Sequence, residues 1–112
     1  MIESYEFGRI VINGKTYEHD VIILPDRILD NWWRKEGHKL YLADISPILN
    51  ELPSTVIIGT GTSGMMKVSE EVKKGLSSKN IEVIIAETRK ACEVYNKVYK
   101  TSKTAAALHL TC

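Results

Sequence analysis

Thr55-Val56-Ile57-Ile58-Gly59-Thr60-Gly61-Thr62-Ser63-Gly64 is an apolar run that breaks into glycines, and the rest of the chain is organised around it. Val56, Ile57 and Ile58 are β-branched and the run is short, which reads as a strand buried on both faces of a parallel sheet. Gly59, Gly61 and Gly64 follow with the spacing G-x-G-x-x-G, which lets a backbone turn tightly and come close to a phosphate. Downstream the pattern alternates. Ser69 is placed as an N-cap, Glu70 and Glu71 suit the helix dipole, and Val72 and Leu76 form an apolar stripe. Ile81 to Ala86 is a second β-branched run and predicts a second parallel strand. Thr88 can cap a helix whose apolar side is Ala91, Val94, Tyr95 and Val98. Ala105 to Leu110 reads as a last strand of small, closely packed residues. Alanine also favours helix, but the alternation of β and α units calls for a strand there.

Upstream, Tyr5 to Ile12 and Lys15 to Leu24 flank Asn13-Gly14, a strong signal for a two-residue hairpin. That loop sets Ile12 opposite Lys15, Ile10 opposite Tyr17 and Arg9 opposite Glu18. Ile10, Ile12, Tyr17 and Val21 then share the core face. Pro25 ends the second strand. Ser46 as N-cap and Pro47 at the first helical position predict a short helix with Ile48, Leu49 and Leu52 buried and Pro53 as its stop. The whole reads as one α/β domain over residues 1–112, a hairpin and a short helix followed by β-α-β-α-β.

Composition narrows the function classes. Fifteen basic residues against fourteen acidic ones leave a formal charge of +1, so there is no electrostatic footprint for nucleic acid or an anionic membrane. The apolar runs fall far short of a membrane span, and Met1-Ile2-Glu3-Ser4 lacks the form of a secretory signal. Cys92 and Cys112 have no metal or redox spacing, which points to a reducing, cytoplasmic setting. His19, His38 and His109 have no spacing for zinc. No metal or cofactor is expected.

Two groups of residues are candidate sites. The first is the glycine loop, Gly59, Thr60, Gly61, Thr62, Ser63 and Gly64, with Glu87 and Thr88 at the next strand end. Glu87 follows Gly64 by 23 positions, near the separation of about 20 at which a ribose-binding carboxylate is expected. Against a dinucleotide, the helix cap falls at Ser69 rather than inside the motif, and the glycines equally serve the turn of a strand-to-helix loop. The second is Trp32, Trp33, Arg34 and His38. Adjacent tryptophans diverge on helix and strand alike, so one is core and the other more exposed. The cluster is readable as packing, as an interface or as a ligand pocket, and Trp and Arg are enriched at interface hot spots. His109 and Cys112 stand three apart on the expected strand and so point to opposite faces, which disfavours a nucleophilic pair. No catalytic set stands out.

Taken together, Trp32-Trp33-Arg34-x-x-Gly37-His38, Ile58-Gly59-Thr60-Gly61-x-x-Gly64, Thr88-x-x-Ala91, Tyr95-Asn96 and Ala107-Leu108-His109-Leu110-Thr111-Cys112 resemble a known family. It is the small archaeal and bacterial domain of unknown function called the Mth938-like domain. Its animal relatives include complex I assembly factor 3 and an adipogenesis-associated protein. The resemblance covers nearly the whole chain. It implies a three-layer α/β fold with a central, mostly parallel sheet whose last strand runs antiparallel, plus an N-terminal β layer. It implies no catalytic residue, and the mitochondrial relative points to assembly through protein contacts. Two expectations follow: a non-catalytic domain that acts by protein contact or as a homo-oligomer, or a binder of phosphate- or nucleotide-type small molecules at the Gly59–Gly64 loop.

Overall fold

The computed structural model describes all residues, 1–112. Strands β1 (Ile2–Glu6), β2 (Arg9–Ile12) and β3 (Lys15–Tyr17) form a small antiparallel sheet. Asn13 and Gly14 both take positive φ, 50° and 80°, the turn that matches strand twist, and the register is Ile10↔Tyr17 and Ile12↔Lys15 as the sequence predicts. Arg9 does not meet Glu18, because β3 stops at Tyr17; it lies 3.7 Å from Glu6 across β1 and β2 instead. The segment expected to continue β3 leaves for a different sheet as β4 (Val21–Ile23), followed by β5 (Ile28–Leu29).

Short strands β6 (Lys39–Leu40) and β8 (Lys67–Val68) pair with each other. Between them lie a 3-10 turn (Leu42–Ile45), helix α1 (Ser46–Glu51) and strand β7 (Thr55–Gly59). Helix α2 (Glu70–Ser77), strand β9 (Glu82–Ala86), helix α3 (Thr88–Val98) and strand β10 (Thr104–Leu108) complete the chain. No helix is long and apolar enough to cross a membrane.

The central sheet has the order β5-β4-β10-β7-β9. β7 and β9 are parallel neighbours, as expected. The orientation of the last strand is a correction: β10 runs parallel to β7, and the one reversed strand is β4, antiparallel to both of its neighbours, β10 and β5. Helical crossovers explain this. β7–α2–β9 places β9 on one side of β7, and β9–α3–β10 carries the chain back to the other side, so all three point the same way. Right-handed crossovers in opposite directions also put α2 and α3 on opposite faces.

Alternation along each strand feeds two cores. Ile57, Ala106, Leu108, Val21 and Ile23 pack with Ile10, Ile12 and Tyr17 of the small sheet and with Ala91 and Tyr95 of α3. Val56, Ile58, Ala105, Ala107 and Ile22 pack with Ile48 of α1 and Val72 and Leu76 of α2. Val21 therefore reaches the core assigned to it, although from another sheet. α1 departs from expectation at both ends. Ser46 is its first residue and Ile45 its N-cap, while Leu52 is the left-handed C-cap at φ 48° and is 59% exposed. The predicted contrast is sharp: Ile57→Ala should cost about 2–5 kcal/mol in urea unfolding and Leu52→Ala no more than about 0.5 kcal/mol. A comparable cost at the two positions would contradict this packing.

Candidate functional site

Three residues far apart in sequence meet in a buried ionic cluster. Arg34 Nη1 donates to Asp20 Oδ2 at 2.6 Å, and His109 Nδ1 lies 2.8 Å from the same oxygen. The Leu110 amide donates to Asp20 Oδ1 at 2.7 Å, and Arg34 Nη2 donates to the Gly37 carbonyl at 2.9 Å. The side chains of Arg34 and His109 are only 5% and 6% exposed. Burial by itself raises the Asp20 carboxyl; the hydrogen bonds from His109, the Leu110 amide and Arg34 outweigh it and hold the group below the ordinary carboxylate value. A carboxylate partner assigns the proton to His109 Nδ1. Arg34 Nη2, 3.0 Å from that nitrogen, is then a neighbour and not a partner.

This orientation leaves His109 Nε2 as the imidazole's free position, the form a general base takes. Nε2 is buried with no hydrogen-bond partner, however, so no hydroxyl or thiol stands ready to be activated. β10 ends at Leu108, so the alternation expected to separate His109 from Cys112 does not extend to them. Cys92 is buried, which pushes its thiol up to about 12, far from a reactive thiolate.

The predicted tryptophan cluster is built on this ion pair. Trp32 is the half-buried one: its Nε1 donates to the Asp44 carbonyl at 2.9 Å, and the Arg34 guanidinium sits 4.8 Å above its ring. Trp33 is 80% exposed. Both line an open cleft of about 330 Å³ with Glu18, Asp20, Arg34 and Thr111. His38 does not line this cleft; its ring stands edge-on to His109 at 5.9 Å. Sequence reasoning found Trp32, Trp33, Arg34 and His38 and missed Asp20 as their anchor. A lone acid between two strands carries no local signal.

The glycine loop is occupied by the chain itself. The amides of Thr60, Thr62, Gly64, Met65 and Met66 donate to the carbonyls of Ala86, Thr111, Gly61, Cys112 and Thr60. The Gly61 amide donates to Thr88 Oγ1 at 2.8 Å, and that hydroxyl donates to the His109 carbonyl at 2.6 Å. Ser63 keeps the one loop amide without such a partner. A Cβ at Gly61 would collide with the Cys112 backbone carbonyl, and one at Gly59 would lie 2.8 Å from Thr88 Oγ1. The close approach these glycines permit is thus made by residues 109–112 and by α3. Glu87 is the N-cap of α3 and Thr88 its first residue, a shift of one from the expected cap. Ser69 does precede α2, but its hydroxyl is buried and unpaired, and β8 stands between the glycines and that helix. Glu87 and Gly64 border a separate cleft of about 430 Å³ with Ser63, Lys67 and Lys73.

The Asp20 cluster has a pH signature. Its folded pKa lies below the unfolded value, near 3.9, so its contribution is full above that value and is lost as pH falls through the folded pKa. Asp20→Asn should cost about 3–5 kcal/mol at neutral pH, because the carboxylate partner of the buried Arg34 guanidinium is removed. It should also flatten the acid limb of a stability–pH profile. An acid limb identical in wild type and variant would refute the assignment.

The fold recurs in known proteins. A family model described as "Protein of unknown function (DUF498/DUF598)" matches residues 2–109. The conserved hypothetical protein PH1505 of Pyrococcus horikoshii is 29% identical, with TM-score 0.85 over 100% of this chain and 99% of its own. A Bartonella henselae protein described as an outer membrane protein is 24% identical, with TM-score 0.84 over 99% and 94%. A Bordetella pertussis protein described as a Mth938-like domain is 18% identical, with TM-score 0.69 over 98% and 85%. The chain therefore belongs to the DUF498/DUF598 family of unknown function, whose fold is that of the Mth938-like domain.

Proposed function

We propose that this chain is a non-catalytic, cytoplasmic domain that works by protein–protein contact, with the Trp32–Trp33–Arg34–His38 lobe as its contact element. The observation that carries the reading is Trp33, an indole 80% exposed beside a cleft whose arginine is already fixed. Leaving a large aromatic in water forgoes the stabilisation of burying it, and a pre-ordered Arg34 lowers the ordering cost of binding a partner. Trp and Arg are the side chains that dominate interface hot spots. Trp33→Ala should leave the unfolding midpoint within experimental error and weaken capture of a protein partner about 30-fold, the equivalent of about 2 kcal/mol. Capture undiminished in a folded Trp33→Ala protein removes the lobe from the reading.

A second reading rests on Lys67 and Lys73, which line the 430 Å³ cleft beside Ser63, Gly64 and Glu87. A phosphate- or nucleotide-type small molecule, bound or turned over, would be held there by lysines and not by the glycine amides, which already have partners. Thermal shift with phosphate, mononucleotides and nicotinamide dinucleotides tests it. A ligand at one hundred times its dissociation constant adds about 2.7 kcal/mol, or roughly 4 °C and more. The shift should vanish in the Lys67→Ala/Lys73→Ala double variant. A wild type that no compound shifts excludes this reading.

A further inference from the structure

The two edges of the central sheet are treated very differently. β5 is two residues long, with Pro25 shortly before it and Asp30 directly after. Shortness, proline and charge are the usual means by which an edge is kept from pairing. β9 has none of them. It runs five residues, Glu82-Val83-Ile84-Ile85-Ala86, with no proline, no lysine and one acid at its start, and Ile85 is 40% exposed.

The ladder fixes which backbone groups face outward. Glu82 N–H donates to the Ser54 carbonyl and Thr60 N–H donates to the Ala86 carbonyl, so the even-numbered residues of β9 bond to β7. Val83 and Ile85 therefore turn both N–H and C=O away from the sheet. None of these four groups takes part in any loop or cap hydrogen bond.

We propose that a second copy of this chain pairs with this edge, β9 against β9, antiparallel about a two-fold axis at Ile84. In that register Val83 faces Ile85 of the second copy and Ile85 faces its Val83. Each pair exchanges two hydrogen bonds. The four bonds use all eight free groups, and any slip leaves some of them unpaired. A two-fold contact also closes on itself, so it yields a dimer and not a fibre. Side chains agree with the register. Ile84 meets Ile84 of the second copy on the α3 face, and Val83 and Ile85 meet on the α2 face, all β-branched pairs suited to cross-strand contact. Charges agree as well. Glu82 faces Ala86 of the second copy and lies about 14 Å along the strand from its Glu82. The result is one ten-stranded sheet, on a surface separate from the Trp33 lobe.

Sedimentation equilibrium from micromolar to sub-millimolar concentration, with amide exchange read residue by residue, tests the dimer. Wild type should reach twice the 12.6 kDa chain mass, with slow exchange at Val83 and Ile85. Ile85→Lys and Ile85→Pro should both be folded monomers with those amides fast; proline at Ile85 removes only an outward N–H. Trp33→Ala should remain a dimer, which separates this edge from the contact proposed above. A wild type that stays monomeric overturns the proposal, as does a dimer that survives both Ile85 variants or is lost in Trp33→Ala. Were both variants to unfold, fast exchange at Val83 and Ile85 in a wild-type dimer would overturn it equally.

Discussion

The carboxylate of Asp20 is the group on which the arrangement of the chain depends. Removing such a charge from water costs several kcal/mol, and only well-placed partners offset it. Those partners come from two segments distant in sequence: Arg34 from the stretch after β5, and His109 and the Leu110 amide from the end of β10, which the β4–β10 ladder carries alongside Asp20. Separating any one leaves a charge buried without compensation. The three segments consequently hold or release together, and the loop that carries Trp33 is fixed by an interaction made at its neighbour.

That cluster also determines what becomes of the glycine loop. With Leu110 tied to Asp20, residues 109–112 are drawn across Gly61, where the loop amides meet their carbonyls. Thr88 completes the junction because a hydroxyl can accept and donate at once: it takes the Gly61 N–H and gives its proton to the His109 carbonyl. The result copies the requirements of phosphate binding, a close approach to bare backbone and saturated amides, with peptide in place of phosphate. Glycine spacing reports that something comes near the main chain. It does not report what.

This distinction marks how far the sequence could be read. Runs with a strong local signal were legible: Val56–Ile58 and Ile81–Ala86 as parallel strands, Asn13-Gly14 as the hairpin turn, and the stripes of α2 and α3. What failed depends on partners distant in sequence. Val21–Ile23 continues the hairpin by pattern alone, yet β10 offers it a better edge. The orientation of β10 follows from two crossovers and not from its own residues. Leu52 looks like the end of an apolar stripe, but Pro53 and the left-handed cap turn it outward. In the site, Trp32, Trp33, Arg34 and His38 were visible because they are dense and chemically distinctive. Asp20 was not, since its role exists only once residues 34 and 109 have been brought to it.

The same geometry weighs against catalysis at the one imidazole oriented by a carboxylate. For His109 to act as a base, its Nε2 must reach a substrate or a water, yet that atom is buried and Gly61 stands against the Cδ2 edge of the ring. Lifting the segment that covers it would break the bonds from Thr62 and Met65 to Thr111 and Cys112, the Thr88 bond to His109, and the Leu110 bond to Asp20. At about 1 kcal/mol each, and more for the one to a carboxylate, that opening costs on the order of 5 kcal/mol, the lower end of the stability of a whole domain. An imidazole behind such a barrier is part of the framework. What the framework presents to other molecules is its exposed indole and its unblocked strand edge, and both are features suited to contact.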